Sequence, residues 1–302
     1  MALFLCLKNI VELAKQFMPE KHEPYVIYKK IIQRVMLNPE GLPALPSVTL
    51  KIRAAVANSD TSNDDIAVVC GQDPSFSALI MANVGSAIFH QANPPRTLES
   101  AVSVLGRERI QSLVMAYSVK SLFVIRSPEI KKLYQNIWQR MMLKSSTAAF
   151  LATKVPGFQA EEVLLSSLLT EVGTLATLTA FSEFKEKPSQ AVFFRLCREY
   201  AKAFGAVLLK KWELDERFIT CLKNCGRWTV EEGDDLGLTD ILNLGLYSTV
   251  RQLSPKNNLP QLEKLPSFQK LPIHLKRLSD EGELLIVQEN RAEIDSIKRV
   301  LA

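Results

Sequence analysis

Apolar residues recur at three- and four-residue intervals in almost every segment of the chain. That period lays them along one face of an α-helix. Ile110, Leu113, Val114 and Tyr117 form a complete i, i+3, i+4, i+7 stripe. Residues that start and stop helices fall between the stripes. Ser47 is placed to cap a helix carrying Val48, Leu50, Ile52, Ala55 and Val56. Ser62 and Asp65 have capping-box spacing, and Gly71 closes the helix that follows. Asp73-Pro74 joins an N-cap to a proline at the first helical position, ahead of Phe76, Leu79, Ile80 and Asn83. Thr97 caps a short helix through Val104, which Gly106 ends.

Ser127-Pro128 opens a long helix with Ile130, Leu133, Ile137, Trp138, Met141, Ala148 and Leu151 on its apolar positions. Val155-Pro156-Gly157 stops it. Further helices are predicted over about 160–181, 189–202, 204–212, 216–225 (with Asp215 as cap) and 239–252. Short β-like runs such as Leu285-Ile286-Val287 have no hairpin turn to pair them. The predicted class is all-α. At the N-terminus, Leu3, Leu7, Ile10, Ala14 and Phe17 make an amphipathic stripe suited to packing on the body or on a partner. At the other end, Ser254 to Pro260 reads as a loop. Pro266 and Pro272 continue the broken pattern, and a last helix is predicted from about Asp280 to Leu301.

With 302 residues and 47% hydrophobic content, the chain can bury a substantial core. The net charge of +5 is spread without a dense Lys/Arg block, which argues against nucleic acid as a partner. The odd set Cys6, Cys70, Cys197, Cys221 and Cys225 has no framework spacing and fits reduced thiols in a cytoplasmic setting. No apolar run approaches the ~20 residues of a membrane span.

Candidate chemistry is sparse. The histidines His22, His90 and His274 lie in three distant segments, so a histidine-ligated metal site is not expected. Cys221 and Cys225 share a helix face at i, i+4. They read either as buried small apolar residues or as half of a zinc site without its other ligands. No Gly-rich phosphate loop or nucleophile signature is present, and no cofactor is expected. Gly173 and Gly205 are expected to admit close helix approach. Trp138 and Trp212 read as core. Asn83 reads as a cap by default, or as orienting an interdomain turn by bonding backbone groups. Arg107, Glu108 and Arg109 read as a solvated helix end or a partner-binding patch.

One ordered set of residues carries a family resemblance. It runs Leu42-Pro43-Ala44-Leu45-Pro46, Asp73-Pro74, Met81-Ala82-Asn83, Ser100-Ala101 and Leu105-Gly106-Arg107-Glu108-Arg109-Ile110. It continues with Trp138, Ser167-Leu168-Leu169-Thr170-Glu171-Val172-Gly173, Phe204-Gly205-Ala206, Leu208-Leu209 and Trp212. In order and spacing this resembles the HDOD domain, the HD-related output domain of bacterial signalling proteins, over about residues 40–250. The resemblance implies an all-helical relative of the metal-dependent HD phosphohydrolases that has lost metal ligands. It implies lobes at about 40–125 and 126–250, flanked by helices in 1–39 and by a loop and helix in 251–302.

Carried over position by position, Arg140 stands where the family often has the histidine of Trp-x-His. Thr170-Glu171 stands where related domains have His-Asp. Cys225-Gly226 falls, within about a residue, on a frequent His-His pair, and Asp240 falls on a late aspartate of HD enzymes. Asn83-Val84 departs from the family's usual Asn-Ser. Arg140, Thr170, Glu171 and Asp240 are therefore expected to line the degenerate cleft. An Arg140–Glu171 pair within roughly 4 Å is expected there, because a buried carboxylate needs a partner. Two unrelated, partly exposed charges are the alternative.

The resulting expectation is a non-catalytic output or scaffold module that binds an unidentified signalling protein or a small ligand such as a nucleotide. A nucleotide or second-messenger sensor and a residual metal-dependent phosphohydrolase are the alternatives. No second signalling module is recognisable, so input is expected from a separate protein.

Overall fold

The computed structural model describes residues 43–85, 95–123, 127–182, 189–255 and 258–301. Five helices come first: α1 (Ser47–Ala57), α2 (Asn63–Gly71), α3 (Pro74–Val84), α4 (Leu98–Leu105) and α5 (Arg107–Leu122). Six follow: α6 (Pro128–Thr153), α7 (Ala160–Leu169), α8 (Val172–Ser182), α9 (Gln190–Lys211), α10 (Glu216–Asn224) and α11 (Leu238–Leu253). The C-terminal part carries α12 (Pro266–Gln269), α13 (Leu285–Glu289) and α14 (Arg291–Leu301), with 3-10 turns at Leu262–Lys264 and Ile273–Leu275. The fold is all-α, and among the described residues one isolated bridge, Leu278 to Leu284, is the extent of β pairing. The N-terminal stripe from Leu3 to Phe17, and His22 and His90, lie outside the described residues.

The expected caps form at most helix starts. The Ser62 side chain accepts from Asp65 N while the Asp65 carboxylate accepts from Ser62 N. The Asp73 carboxylate accepts from the N–H groups of Ser75 and Phe76. Thr97 pairs with Ser100, and Asp215 accepts from Arg217 N. Gly106 turns the chain from α4 into α5 at φ +77°, a conformation that favours glycine. Ser47 differs: it lies inside α1, and Pro46 takes the N-cap position without a side-chain bond.

Three predicted helix boundaries also differ. The helix expected over 160–181 breaks at Thr170-Glu171 into α7 and α8. The two helices expected over 189–212 are the single α9, because Phe193, Leu196, Ala201, Phe204 and Leu208 continue one buried stripe with no stop signal between them. The last helix starts later than expected, after a turn with Gly282 at φ +73°. It is interrupted at Asn290, whose side-chain amide donates to Ile286 O. The β-like Leu285-Ile286-Val287 run lies in helix α13.

Buried apolar residues form two clusters. The smaller draws on α1 to α5 through Ile52, Ile66, Phe76, Ile80, Val102, Ile110, Leu113 and Val114. The larger is centred on α6 to α11. The division runs along α5, since Met115, Ala116, Val119 and the following Phe123 belong to the larger cluster. The C-terminal segment is part of that larger core through Leu265, Phe268, Leu271, Leu284, Ile294 and Ile297. Its last helix, α14, packs on α6 and also touches α3.

Polar ties join the same parts. The Arg107 guanidinium donates to the carbonyls of Val56, Asn58 and Thr61. Gln159 donates to Glu108 at 2.8 Å, and Arg109 lies 3.6 Å from Glu161. The Arg107-Glu108-Arg109 run is thus committed to contacts inside the fold. Arg53 donates to Trp212 O at 2.9 Å, and Trp212, a core residue, donates through Nε1 to Pro43 O at 2.9 Å. Asn83 is buried, and its side-chain oxygen has no hydrogen-bond partner among the described residues, so it does not bond a turn through that atom.

Helices α8 and α9 meet backbone to backbone at Gly173 and Gly205. A Cβ on Gly173 would stand 1.7 Å from Ala201 O and 2.7 Å from Gly205 N. This contact fixes the position of the turn that holds Glu171. A Cβ on Gly205 would press on the Leu222 side chain at 3.0 Å and meet Gly173 N at an ordinary contact distance of 3.4 Å. Gly173→Ala is therefore expected to destabilise the protein by about 3 kcal/mol or more and Gly205→Ala by clearly less. Urea denaturation at neutral pH checks the order, and equal losses would contradict the backbone contact.

Candidate functional site

Leu169 ends α7, and Thr170-Glu171 forms the turn into α8, with an angle of 40° between the two helices. The turn is stitched by Thr170 N to Ser166 O and by Glu171 N to Leu168 O, and Leu175 N then bonds Glu171 O. The Thr170 hydroxyl donates to Ser167 O at 2.7 Å. Glu171 therefore projects from a helix break against α6, the helix that packs along α7.

Arg140 and Lys144 lie one turn apart on α6, so they share a face. Lys144 is only 2% exposed. Its ammonium donates to Glu171 Oε1 at 2.7 Å and to Thr170 Oγ1 at 2.7 Å. Arg140 Nη2 lies 3.6 Å from Glu171 Oε2, within the separation expected from the sequence, with its own side chain 46% exposed. Thr174 Oγ1 donates to the same carboxylate at 3.2 Å. Burial alone would raise the Glu171 pKa. The charges of Lys144 and Arg140, and the hydrogen bonds from Lys144 and Thr174, outweigh it and hold the carboxyl down at about 2.

Two thiols border this cluster. Cys225 is buried, which raises its pKa against the opposing charge of Lys144; it also engages Thr170. Burial and the charge of Glu171 push Cys197 up to about 12. Both are neutral thiols at physiological pH, not nucleophilic thiolates. The Cys225-Gly226 turn is held by Lys202, which donates to Lys223 O at 2.9 Å and to Cys225 O at 2.7 Å. Asn243 Oδ1 accepts from Gly226 N at 2.7 Å.

The structure brings Arg140, Thr170 and Glu171 together, while the bonds of Asp240 go to other residues. Asp240 accepts from Gly237 N at 2.9 Å at the start of α11, and its carboxylate lies 3.3 Å from Lys270 Nζ. A nearly buried carboxylate with both a helix-start N–H and a lysine has its partners supplied locally. Lys144 was missed by sequence reasoning. Its signal was a lysine inside the apolar stripe, three residues after Met141 and four before Ala148.

These residues do not fit a divalent metal. Such an ion needs several anionic or imidazole donors at about 2–2.5 Å. Here one carboxylate and one threonine hydroxyl point at a buried ammonium, which would both repel a second cation and occupy its place. Among the described residues, no group of three His, Cys, Asp or Glu side chains is arranged to hold a metal ion. His274 is exposed on a 3-10 turn. Among the described residues no single helix is long and apolar enough to cross a membrane. The bent α7–α8 pair meets that test only by length and composition, and its apolar residues lie in the larger core.

An all-α fold with two apolar clusters meeting along α5 and a helix break at Thr170-Glu171 sets the class. The HDOD domain model matches residues 42–225, more than half of the chain, and the chain belongs to the HDOD domain family. Among solved structures it is similar to a candidate metal-dependent phosphohydrolase from Shewanella amazonensis. The TM-score is 0.74 at 21% identity, covering 91% of this chain and 99% of that one. It is also similar to an HDOD domain protein of unknown function from Geobacter sulfurreducens, with a TM-score of 0.58 at 21% identity over 91% and 98% of the two chains. A third is a candidate signal transduction protein from Marinobacter aquaeolei, with a TM-score of 0.55 at 14% identity over 95% and 68%. At these identities the likeness is one of fold. No curated protein matches the chain.

Lys144→Met leaves the Glu171 carboxylate without its closest cation and is expected to cost on the order of 3–5 kcal/mol. Lys144→Met with Glu171→Leu is expected to recover most of that loss. Denaturation curves of the four proteins give the coupling, and additive losses would contradict the pair. The folded pKa of Glu171 lies below its ordinary value of 4.5. Its stabilisation is therefore complete above pH ~4.5 and is lost as pH falls toward ~2, by at most about 3 kcal/mol. Glu171→Gln should flatten the stability curve in that window, and an unchanged acid limb would contradict the assignment.

Proposed function

We propose that this chain is a non-catalytic signal-transduction module whose output is binding rather than turnover. The observation that carries this reading is the Lys144 ammonium, which bridges Thr170 and Glu171 where the resemblance implies a metal-binding His-Asp pair. A fixed internal cation satisfies the remaining carboxylate without delivering a water nucleophile, which is the role a hydrolytic metal would play. Membership of the HDOD family supports a signalling role, as does a fold neighbour named as a candidate signal transduction protein.

A sensor that holds a nucleotide in the Glu171 cleft is less favoured. It would draw on Arg140, whose guanidinium already faces Glu171. A residual phosphohydrolase would have to displace Lys144 from two 2.7 Å hydrogen bonds.

Purified protein assayed with Mn²⁺ against phosphomonoesters, phosphodiesters and nucleotides is expected to show no turnover above buffer. A parallel pull-down from native cell extract should retain a protein partner equally on wild type and on Glu171→Gln. Metal-dependent turnover that Glu171→Gln abolishes would overturn the reading.

A further inference from the structure

Helix α9 presents an aromatic ring and two cations on one side. Phe194, Arg198 and Lys202 follow one another at four-residue spacing, which places them along one face. Phe194 is 46% exposed, although a phenylalanine ring is usually buried. It meets the buried Phe193 ring edge-on with centroids 5.3 Å apart, so the core holds it while it faces solvent. Arg198 is exposed and makes no hydrogen bond or ion pair among the described residues.

This side of α9 borders the Glu171 cluster. Cys197, next to Arg198, feels the charges of Glu171 and Arg140. Burial lowers the pKa of the Lys202 ammonium. Cys225 and Glu171 oppose that shift, while the like charges of Arg227 and Lys144 add to it.

Carboxylates do not balance these cations. Glu171 is bonded to Lys144 at 2.7 Å and Glu199 to Arg195 at 3.0 Å. The Arg140 guanidinium is 3.6 Å from the second oxygen of Glu171 and donates no hydrogen bond among the described residues. Lys202 donates to the carbonyls of Lys223 and Cys225, which carry no formal charge. Arg140, Arg198 and Lys202 thus share one carboxylate oxygen among them. The face ends at Arg227, because the Asn224 side chain that accepts from Arg227 also donates to Glu232. Aromatic residues and arginines concentrate at the energetic centres of protein interfaces, and unbalanced cations select an acidic partner. A nucleic acid fits less well, since Glu171 and Glu199 lie among the cations and a single ring offers a stacking face for one base.

We propose that the α9 face of Phe194, Arg198 and Lys202, with Arg140 beside it, docks an acidic segment of a partner protein that lays an apolar side chain against Phe194. This rests on the reading that the module's output is binding, and it names the chemistry of the partner.

The probe is a short fluorescein-labelled peptide of alternating aspartate and glutamate around two central leucines, titrated into the full chain. Its counterpart carries asparagine and glutamine in place of the acids. The acidic peptide is expected to bind saturably, and the amide peptide at least about tenfold more weakly. Arg198→Glu should weaken the acidic peptide at least about tenfold and Arg198→Gln about threefold. Phe194→Ser should weaken it about fivefold. Both side chains are exposed, so the fold should tolerate the changes. Raising the salt from about 0.1 M to about 1 M cuts the screening length from about 10 Å to about 3 Å. That should erase the Arg198→Gln loss and leave the Phe194→Ser loss in place. Lys51→Gln, which removes an exposed cation on α1, should change nothing. No saturable binding of the acidic peptide, or binding insensitive to both Arg198→Glu and Phe194→Ser, would overturn the face. Oligothymidylate that binds more tightly than the peptide, and is lost in Arg198→Glu but not in Phe194→Ser, would overturn the protein partner in favour of nucleic acid. None of these results bears on turnover with Mn²⁺, so failure here is distinct from failure of the non-catalytic reading.

Discussion

A carboxylate placed at a buried helix break needs a positive partner, and much of this structure depends on how Glu171 obtains one. Its α7–α8 turn is pinned from one side by the Gly173–Gly205 backbone contact and from the other by α6. The Glu171 side chain is 16% exposed, so water supplies only part of the compensation. Lys144, reaching from α6, supplies it at 2.7 Å, and Arg140 adds a second, more exposed charge. The low pKa of Glu171 is the same fact expressed as proton affinity. The Lys144 ammonium thus sets a protein cation directly against this carboxylate.

The arrangement also bears on how the helical parts are held together. Helix α5 contributes to both apolar clusters, so no clean seam runs between α1–α5 and α6–α11. Arg107, Arg109 and Arg53 tie loop carbonyls and one buried carboxylate across neighbouring elements. The C-terminal helix α14 packs on α6 and reaches α3.

Local chemistry made much of this legible from the sequence. Ser62 with Asp65, Asp73-Pro74, Thr97 and Asp215 are caps whose bonds depend on neighbours two or three residues away, and all four form. The close approach at Gly173 and the Arg140–Glu171 proximity were also readable, the second through family resemblance. The break at Thr170-Glu171 was not, because apolar residues on both sides continue helical spacing through it. Lys144 escaped notice because a lysine in a long helix is usually solvated; only its place among Met141, Met142 and Ala148 marked it as buried. The partner of Asp240 comes from Lys270, thirty residues later in a segment that reads as a broken loop, and no short-range pattern links the two.

The central claim is that a protein cation, not a metal, fills the space between Thr170 and Glu171. A crystal structure of the protein grown with millimolar Mn²⁺, with anomalous data collected at the manganese edge, tests it most directly. The account predicts no anomalous peak at Glu171 and a Lys144 ammonium within hydrogen-bonding distance of both partners. A manganese peak coordinated by Glu171, with Lys144 turned away, would contradict it.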